Sequence, residues 1–373
     1  MRKYLFIVVC FFLTNAIFSQ EQLMDSIILK NYSTFNIEAE KESFKGQGWH
    51  ALVTEMSKAN SVLIGETHFT NEVPYFVNAV IDAVKFDIYF QEIDPYSNGI
   101  IENKIKTLSQ KKLEQFIKEY SSTFSFLERK KDFYLYKKIV EKGIRTYGLE
   151  QVYLDADRLI ISYLKEQTKN KETAKVLSHM LDTSNKLALE EDTYLFSEDF
   201  IEKSNLLLNT KLSSKEQEHL EAIKLSREIY LGGKHHLRIQ VMKHQLLEAL
   251  PHWSSKKNLF KFGAVHTPKG ESLMEIYDIG NLVFNIEDAN FRTSLHIILI
   301  GKTAAETMDD LKLYSSFLGV VTTNDWYCFD LKPLQKAISQ GKLKIGDQTL
   351  LRIVKGNDFL IYIPELTESE KFL

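Results

Sequence analysis

Short apolar runs separated by longer amphipathic stretches dominate the first two thirds of the chain. Runs of this length, bounded by polar residues, are typical of strands that are buried on both faces of a parallel sheet. The predicted strands are residues 61–65, 86–90, 143–149 and 258–263. After His266, further runs at residues 282–286, 294–300 and 359–363 predict strands that complete or edge the sheet.

The segments between these runs have helical spacing. Residues 73–84 predict a helix with Pro74 near its start, and residues 108–142 are also helical in pattern. Strands that alternate with helices indicate an α/β fold with a mainly parallel central sheet flanked by helices. Residues 155–249 contain no strand-like run. This stretch is longer than the dozen or so residues that a crossover needs.

We therefore expect three regions. The α/β core comprises residues 20–154 and 251–373, and residues 155–250 form a helical insertion or lid. Residues 1–19 have the basic, apolar and small-residue order of a secretory signal peptide, with cleavage expected after Ser19. An uncleaved membrane anchor is the alternative for this segment. Because no later apolar run is long enough to span a bilayer, the mature protein is expected to be soluble.

Charge and cysteine content narrow the class of protein. The formal net charge is −3 and no basic stripe occurs, which argues against a nucleic-acid partner. The only cysteines are Cys10, inside the predicted signal, and Cys328. The mature chain is therefore expected to have no internal disulfide. This suits a protein exported to a bacterial periplasm, outer envelope or medium.

Titratable side chains follow each of the four main apolar runs. Glu66 and His68 follow the first run, Glu92 the second, Glu150 the third and His266 the fourth. Because the carboxyl ends of parallel strands lie at one edge of a sheet, where ligands bind, we expect these side chains to converge on one cleft. Buried ionised groups are costly unless they are paired or functional. Structural interpretations are also open: Glu66 as a helix cap, His68 as a satisfied loop histidine, and Glu92 or Glu150 in an ion pair with Arg145 or Arg238.

The order of these motifs resembles the erythromycin-esterase-like and ChaN–Tiki-like superfamily, whose signature is Gly-Glu-x-His. Four segments carry the resemblance: 62–72 (VLIGETHFTNE), 90–92 (FQE), 238–243 (RIQVMK) and 260–266 (FKFGAVH), the last followed by Lys269-Gly270. Gly65-Glu66-Thr67-His68 is closer to the ChaN and Tiki pattern. The later Arg238 and His266 motifs are closer to the esterase branch.

The resemblance implies a hydrolase or a binding protein, and the residues leave both open. In a hydrolase, His68 is the base, Glu66 or Glu92 orients it, and His266 is a second acid–base group. Arg238 and Glu150 would then bind a small-molecule or peptide substrate. Alternatively, Glu66, His68, Glu92 and His266 hold a divalent metal, or the protein binds haem without turnover. Three possibilities for the cofactor therefore stay open: no cofactor, a divalent metal, or haem.

Overall fold

The computed structural model describes residues 20–210, 212–307 and 309–372. The predicted signal peptide lies outside these residues. The strands are β1 (Tyr32–Glu38), β2 (Ser43–Lys45), β3 (Ser61–Glu66), β4 (Ile88–Gln91), β5 (Arg145–Gly148), β6 (Asn258–Gly263), β7 (Ser294–Thr303), β8 (Trp326–Asp330) and β9 (Phe359–Leu366). The helices are α1 (20–30), α2 (Gln47–Lys58), α3 (Glu72–Ala83), α4 (Pro95–Thr107), α5 (Gln110–Tyr120), α6 (Lys130–Glu141), α7 (Asp157–Gln167), α8 (Lys171–Leu189), α9 (Glu198–Leu208), α10 (Ser214–Gly232), α11 (His235–Glu248), α12 (Leu250–Trp253), α13 (Ile279–Ala289), α14 (Ser315–Leu318), α15 (Lys332–Ser339) and α16 (Gln348–Gly356).

The chain divides into two units. The first comprises residues 20–85 and Phe262–Glu368, and the second comprises Phe86–Lys261 and residues 369–372. The last two residues of β6, Phe262 and Gly263, therefore belong to the first unit and the rest of that strand to the second. The core and insertion boundaries inferred from the sequence stay a prediction.

The first unit contains a mixed sheet. Strand β7 pairs in parallel with β3 on one side and with β9 on the other. Beyond β9, strands β8, β1 and β2 follow with antiparallel pairing. The β3 backbone is fully buried along its length, in keeping with an apolar run in the middle of a covered sheet.

The second unit contains the parallel strands β6, β4 and β5, with β4 in the middle. Phe90 and Phe260 are register partners on neighbouring strands, and their rings stack with centroids 4.3 Å apart. Trp253 packs edge-on against both rings. Together with the first unit, this arrangement confirms the predicted α/β fold with a mainly parallel sheet.

Helices α7 to α12 occupy the long segment that the sequence marked as helical. Their bounds follow strong local signals: Ser213 and Glu216 form a capping box at the start of α10, and Gly233 ends that helix in a left-handed conformation. Among the described residues, no helix combines the length and the apolar character that a membrane span requires.

One predicted strand is wrong. Residues 282–286 lie in α13, which buries Ile279, Val283 and Glu287 at intervals of four residues. A five-residue apolar run does not distinguish a strand from a buried helical turn. Here the buried residues on either side of the run are spaced as on one face of a helix, and this spacing decides the conformation.

Candidate active site

The first cluster of site residues lies at the end of β3. Glu66 is the last residue of the strand and is 6% exposed. His68 lies two residues later in the following turn, and its Nδ1 is 2.9 Å from Glu66 Oε1. The His68 side chain is 27% exposed. A buried carboxylate therefore holds an accessible imidazole, which fixes the ring and favours the tautomer whose Nε2 is basic.

Gly65 is required by the close approach of another loop. A Cβ atom at this position would lie 2.3 Å from Thr267 Oγ1 and 3.0 Å from Ala264 Cα. The backbone N–H of Ala264 donates to the carbonyl of Glu66 at 3.0 Å. The glycine of the Gly-Glu-x-His motif thus allows the turn after β6 to pack directly on the end of β3.

The residue after His68 has an unusual backbone conformation. Phe69 has φ of 64°, in the left-handed region that a bulky side chain rarely adopts. Its ring lies 5.9 Å from the His68 ring and is 41% exposed. Backbone strain of this kind is concentrated at functional sites and costs about 1–3 kcal/mol. The turn that carries His68 is therefore held in a defined shape.

His266 forms a second carboxylate–imidazole pair. Its Nδ1 is 2.8 Å from Asp278 Oδ2, and the residue is 1% exposed. Asp278 also caps α13 by accepting the Ile279 N–H at 2.6 Å. The carbonyl of His266 accepts the Gly280 N–H at 2.9 Å, so both ends of the residue are anchored to the start of α13.

Asp278 is a site residue that the sequence reasoning missed. It lies 12 residues after His266, beyond a loop with no regular pattern. The one available signal is an aspartate directly before an apolar helical segment, which is typical of a helix N-cap. That signal predicts a cap and gives no indication of a histidine partner.

The remaining predicted residues form a cluster in the second unit. Glu92 directly follows β4, and Glu150 lies two residues after β5; both are buried. Arg238 on α11 donates from Nη2 to Glu92 Oε1 at 2.8 Å. Its Nε lies 3.0 Å from each carboxylate oxygen of Glu150, and its Nη2 also bonds to that carboxylate. The ion pair considered from the sequence is thus present.

This cluster has two carboxylates and one guanidinium. Burial lowers the pKa of Arg238, but Glu150 and then Glu92 outweigh this effect and raise it above its ordinary value. Arg238 therefore stays charged at any physiological pH. The Arg238 side chain is 24% exposed, and its hydrogen bonds to described residues use Nε and Nη2.

The structure groups five of the six predicted residues into one pair, Glu66 with His68, and one triplet, Glu92 and Glu150 with Arg238. His266 is paired with Asp278. Convergence of all six on one cleft stays a prediction. Among the described residues, no group of three or more His, Cys, Asp or Glu side chains is placed to hold a metal ion.

Comparison with known proteins relates the chain to others through its structure. No family model matches the sequence, and no curated protein matches it. A Bacillus cereus protein has a TM-score of 0.56 at 13% identity over 95% of this chain and 99% of its own. A succinoglycan biosynthesis protein has a TM-score of 0.57 at 14% identity over 94% of this chain and 99% of its own.

A third solved structure is a mutant erythromycin esterase, EreC, in its open conformation. It has a TM-score of 0.53 at 10% identity, over 91% of this chain and 98% of its own. The chain therefore shares the α/β fold of these structures over more than nine tenths of its length. The resemblance to the erythromycin-esterase-like group that the sequence motifs indicated is confirmed at the level of the fold.

Proposed function

We propose that the protein is a hydrolase that activates water with His68 and cleaves an ester or amide bond. The observation that carries the proposal is the Glu66–His68 pair, a buried carboxylate that orients an accessible imidazole. The Gly65 contact supports it, because it packs the turn that bears the second pair, His266–Asp278, onto the same strand end. The fold shared with an erythromycin esterase makes ester substrates the first to test.

The proposed step is a general-base reaction. His68 Nε2 takes one proton from water while the remaining hydroxide attacks the substrate carbonyl carbon, and the Nδ1 proton stays shared with Glu66. The negative charge that develops on the carbonyl oxygen needs a hydrogen-bond donor, and the sequence motifs make Arg238 the proposed donor. The carbon–oxygen or carbon–nitrogen bond of the substrate then breaks. The leaving group takes a proton from the imidazolium of His68 or, as the second acid–base group, of His266.

His266 is proposed as the second acid–base group. Because it is 1% exposed, it acts on the reaction only if substrate binding brings a reacting group or a relaying water to its ring. Asp278 would stabilise its protonated form in the same way as Glu66 stabilises that of His68. If His266 is structural, its loss changes stability and leaves turnover per folded molecule intact.

The test is a panel of activated esters and amides assayed with the wild-type protein and Glu66→Gln. Glutamine keeps the shape of Glu66 and removes the charge that stabilises the imidazolium. We expect hydrolysis by the wild-type protein, a strong loss in Glu66→Gln, and an unchanged or raised melting temperature in the variant. A panel with no hydrolysed ester or amide, or full activity in Glu66→Gln, contradicts the proposal.

We also propose that the protein is exported and that its signal peptide ends at Ser19. The support is the residue order of the first 19 positions, which lie outside the described structure. Mass analysis of the protein recovered from the envelope or medium should give a chain that begins at Gln20 or Glu21. A recovered chain that begins at Met1, or that stays in washed membranes, counts against export by cleavage.

A further inference from the structure

A cleft of about 480 Å³ lies within the second unit, between helices α10 and α11. Tyr96, at the start of α4, and Gln151 contribute to its lining. Its size falls within the range of small-molecule sites, roughly 300–1,000 Å³. None of the residues assigned above to water activation or to the Arg238 cluster lines it.

The cleft is acidic. Glu218, Glu221 and Glu248 line it, whereas no Lys or Arg does. Among the described residues, none of the three carboxylates forms a salt bridge with a Lys or Arg. Glu218 accepts from the Tyr96 hydroxyl at 3.4 Å, Glu221 from Gln217 at 2.8 Å, and Glu248 pairs with His244 at 3.4 Å. Their negative charge is therefore not balanced by any described Lys or Arg side chain.

Two lining residues each have a buried amide oxygen with no hydrogen-bond partner among the described residues. These oxygens are Oε1 of Gln151, a residue that is 5% exposed, and Oε1 of Gln245. A buried acceptor without a donor costs about 1–3 kcal/mol. An N–H donor in the cleft would remove that cost. The unpartnered oxygens are independent of the carboxylates, and both features require a ligand that donates and is positive.

The rest of the lining is apolar. Ala222 and Leu225 on α10 and Leu237 and Val241 on α11 contribute this surface. The Tyr96 ring adds an aromatic face, which attracts a cation by its quadrupole. Burial, followed by Glu218, raises the pKa of Tyr96, in keeping with the negative surroundings. A bare metal ion does not use such a wall, and the carboxylates are not grouped to bind one.

We propose that this cleft binds a protonated primary or secondary amine carried on an apolar body. The ammonium N–H groups donate to Gln151 and Gln245, the carboxylates balance its charge, and the apolar body lies against the leucine and valine side chains. The Gln245 amide also donates to the Glu150 carbonyl at 3.4 Å, so the cleft adjoins the residue that holds Arg238. The proposal does not depend on hydrolysis.

The experiment is calorimetric titration of the full chain with phenethylamine, 2-phenylethanol and 3-phenylpropionate. These probes share an aromatic body and differ in the charge of the head group. We expect measurable binding of the amine, at least about tenfold weaker binding of the alcohol, a difference of roughly 1.4 kcal/mol, and no binding of the acid. Raising the salt concentration should weaken amine binding.

Variants locate the site. Glu218→Gln and Glu248→Gln together, and Gln151→Leu separately, should each weaken amine binding at least about fivefold. Glu114→Gln, the same charge change on an exposed residue of α5, is the matched control and should bind normally. If Gln151→Leu does not fold, the carboxylate variants alone still decide. Any one of four results overturns the proposal: no binding of the amine, equal binding of the alcohol, carboxylate variants that bind the amine normally, or displacement of the amine by Mg²⁺ or Ca²⁺.

Discussion

The two clusters of site residues use carboxylates in different ways. In the first unit, Glu66 and Asp278 each hold an imidazole, a group whose charge changes near neutral pH. In the second unit, Glu92 and Glu150 hold the Arg238 guanidinium, which does not lose its proton. The comparison separates side chains suited to proton transfer from those suited to binding an anion or oxyanion.

The difference also predicts different consequences of mutation. Removing an imidazole leaves one buried carboxylate without that partner, which costs less than leaving two. Removing the guanidinium leaves two buried carboxylates close together, and both cannot be neutralised cheaply. Damage to the first cluster should therefore appear in turnover, and damage to the second in stability. The following predictions test this contrast, from the largest expected effect to the smallest.

The largest effect is expected for His68→Ala and His266→Ala. If both imidazoles transfer protons, each variant should lose about 10²–10⁴-fold in turnover while its melting temperature stays near that of the wild type. Activity on the best ester of the panel and thermal unfolding should be measured on the same samples. His50→Ala, which removes an exposed histidine of α2, is the matched control. Lower melting temperatures with full specific activity in the folded fraction would show that the histidines are structural.

Arg238→Leu should destabilise the second unit. The change leaves Glu92 and Glu150 buried without their cation, and breaking a buried pair in this way costs about 3–5 kcal/mol. Denaturant unfolding measures the loss, and adding Glu92→Gln should recover part of it. Arg145→Leu, at an exposed position on β5, should change stability by no more than about 1 kcal/mol. Equal effects of the two arginine variants would remove the contrast between the clusters.

Lowering the pH should raise the stability of the second unit through protonation of Asp157. Burial raises the pKa of Asp157 from 3.8 to about 6, so the folded chain keeps a proton that the unfolded chain releases. The stabilisation is complete below pH 3.8 and is lost as the pH rises through 6. Relative to Asp157→Asn, the wild type should lose at most about 3 kcal/mol between pH 4 and 7. Hydrogen exchange of residues 157–167 at pH 4 and 7 measures this loss of stability. A stability difference between wild type and Asp157→Asn that is the same at both pH values contradicts the expectation.

The first unit should respond to acid in the opposite direction at His296. Its Nδ1 lies 2.6 Å from the Thr267 carbonyl and its Nε2 lies 2.8 Å from the Ser294 hydroxyl. Burial lowers its pKa from 6.5 to about 4, so its contribution is present above pH 6.5 and is lost as the pH falls toward 4. Protection of residues 294–303 against hydrogen exchange should fall by about 2 kcal/mol between pH 7 and 5. His296→Gln should not show this fall, and the exposed-site variant His50→Ala should keep it.

Gly65→Ala is expected to destabilise the first unit by a similar amount and to affect turnover only indirectly. The new Cβ would meet Thr267 Oγ1, so the strand end and the turn must separate, at a cost of about 1–3 kcal/mol. Thermal unfolding and ester hydrolysis report the two consequences. Thr267→Ala in the same chain removes the nearest atom and should restore part of both. An unchanged Gly65→Ala protein would show that the close approach is not needed.

The elements predicted correctly are those whose sequence shows their burial. Strands β3, β6, β7 and β9 are mainly apolar, and most of their residues are buried. Strands β1 and β2 were missed, because they are antiparallel and mix polar with apolar residues. Strand β8 was also missed; it follows a loop-rich segment and pairs antiparallel on both sides.

The candidate site residues could likewise be predicted only where the sequence pattern itself marks them. Glu66, Glu92 and Glu150 could be found because a carboxylate at a strand end contrasts with the apolar run before it. The contact between Arg238 and these carboxylates depends on how α11 packs, which periodicity does not specify. Asp278 depends on the path of a loop, and the acidic cleft on the spacing of two helices. Sequence patterns locate residues along elements, whereas contacts between distant segments follow from tertiary packing.

The cysteine content has a practical consequence. Cys328 is buried in β8, and burial raises the pKa of its thiol well above the ordinary value, so it reacts slowly with alkylating reagents. A chain that begins at Gln20 contains no other cysteine. Two cysteines placed on exposed positions, one in each unit, can therefore carry spin labels or fluorophores with little background. Distances between such labels, recorded with and without an added ester or amine, would report whether the separation of the labelled positions changes on binding.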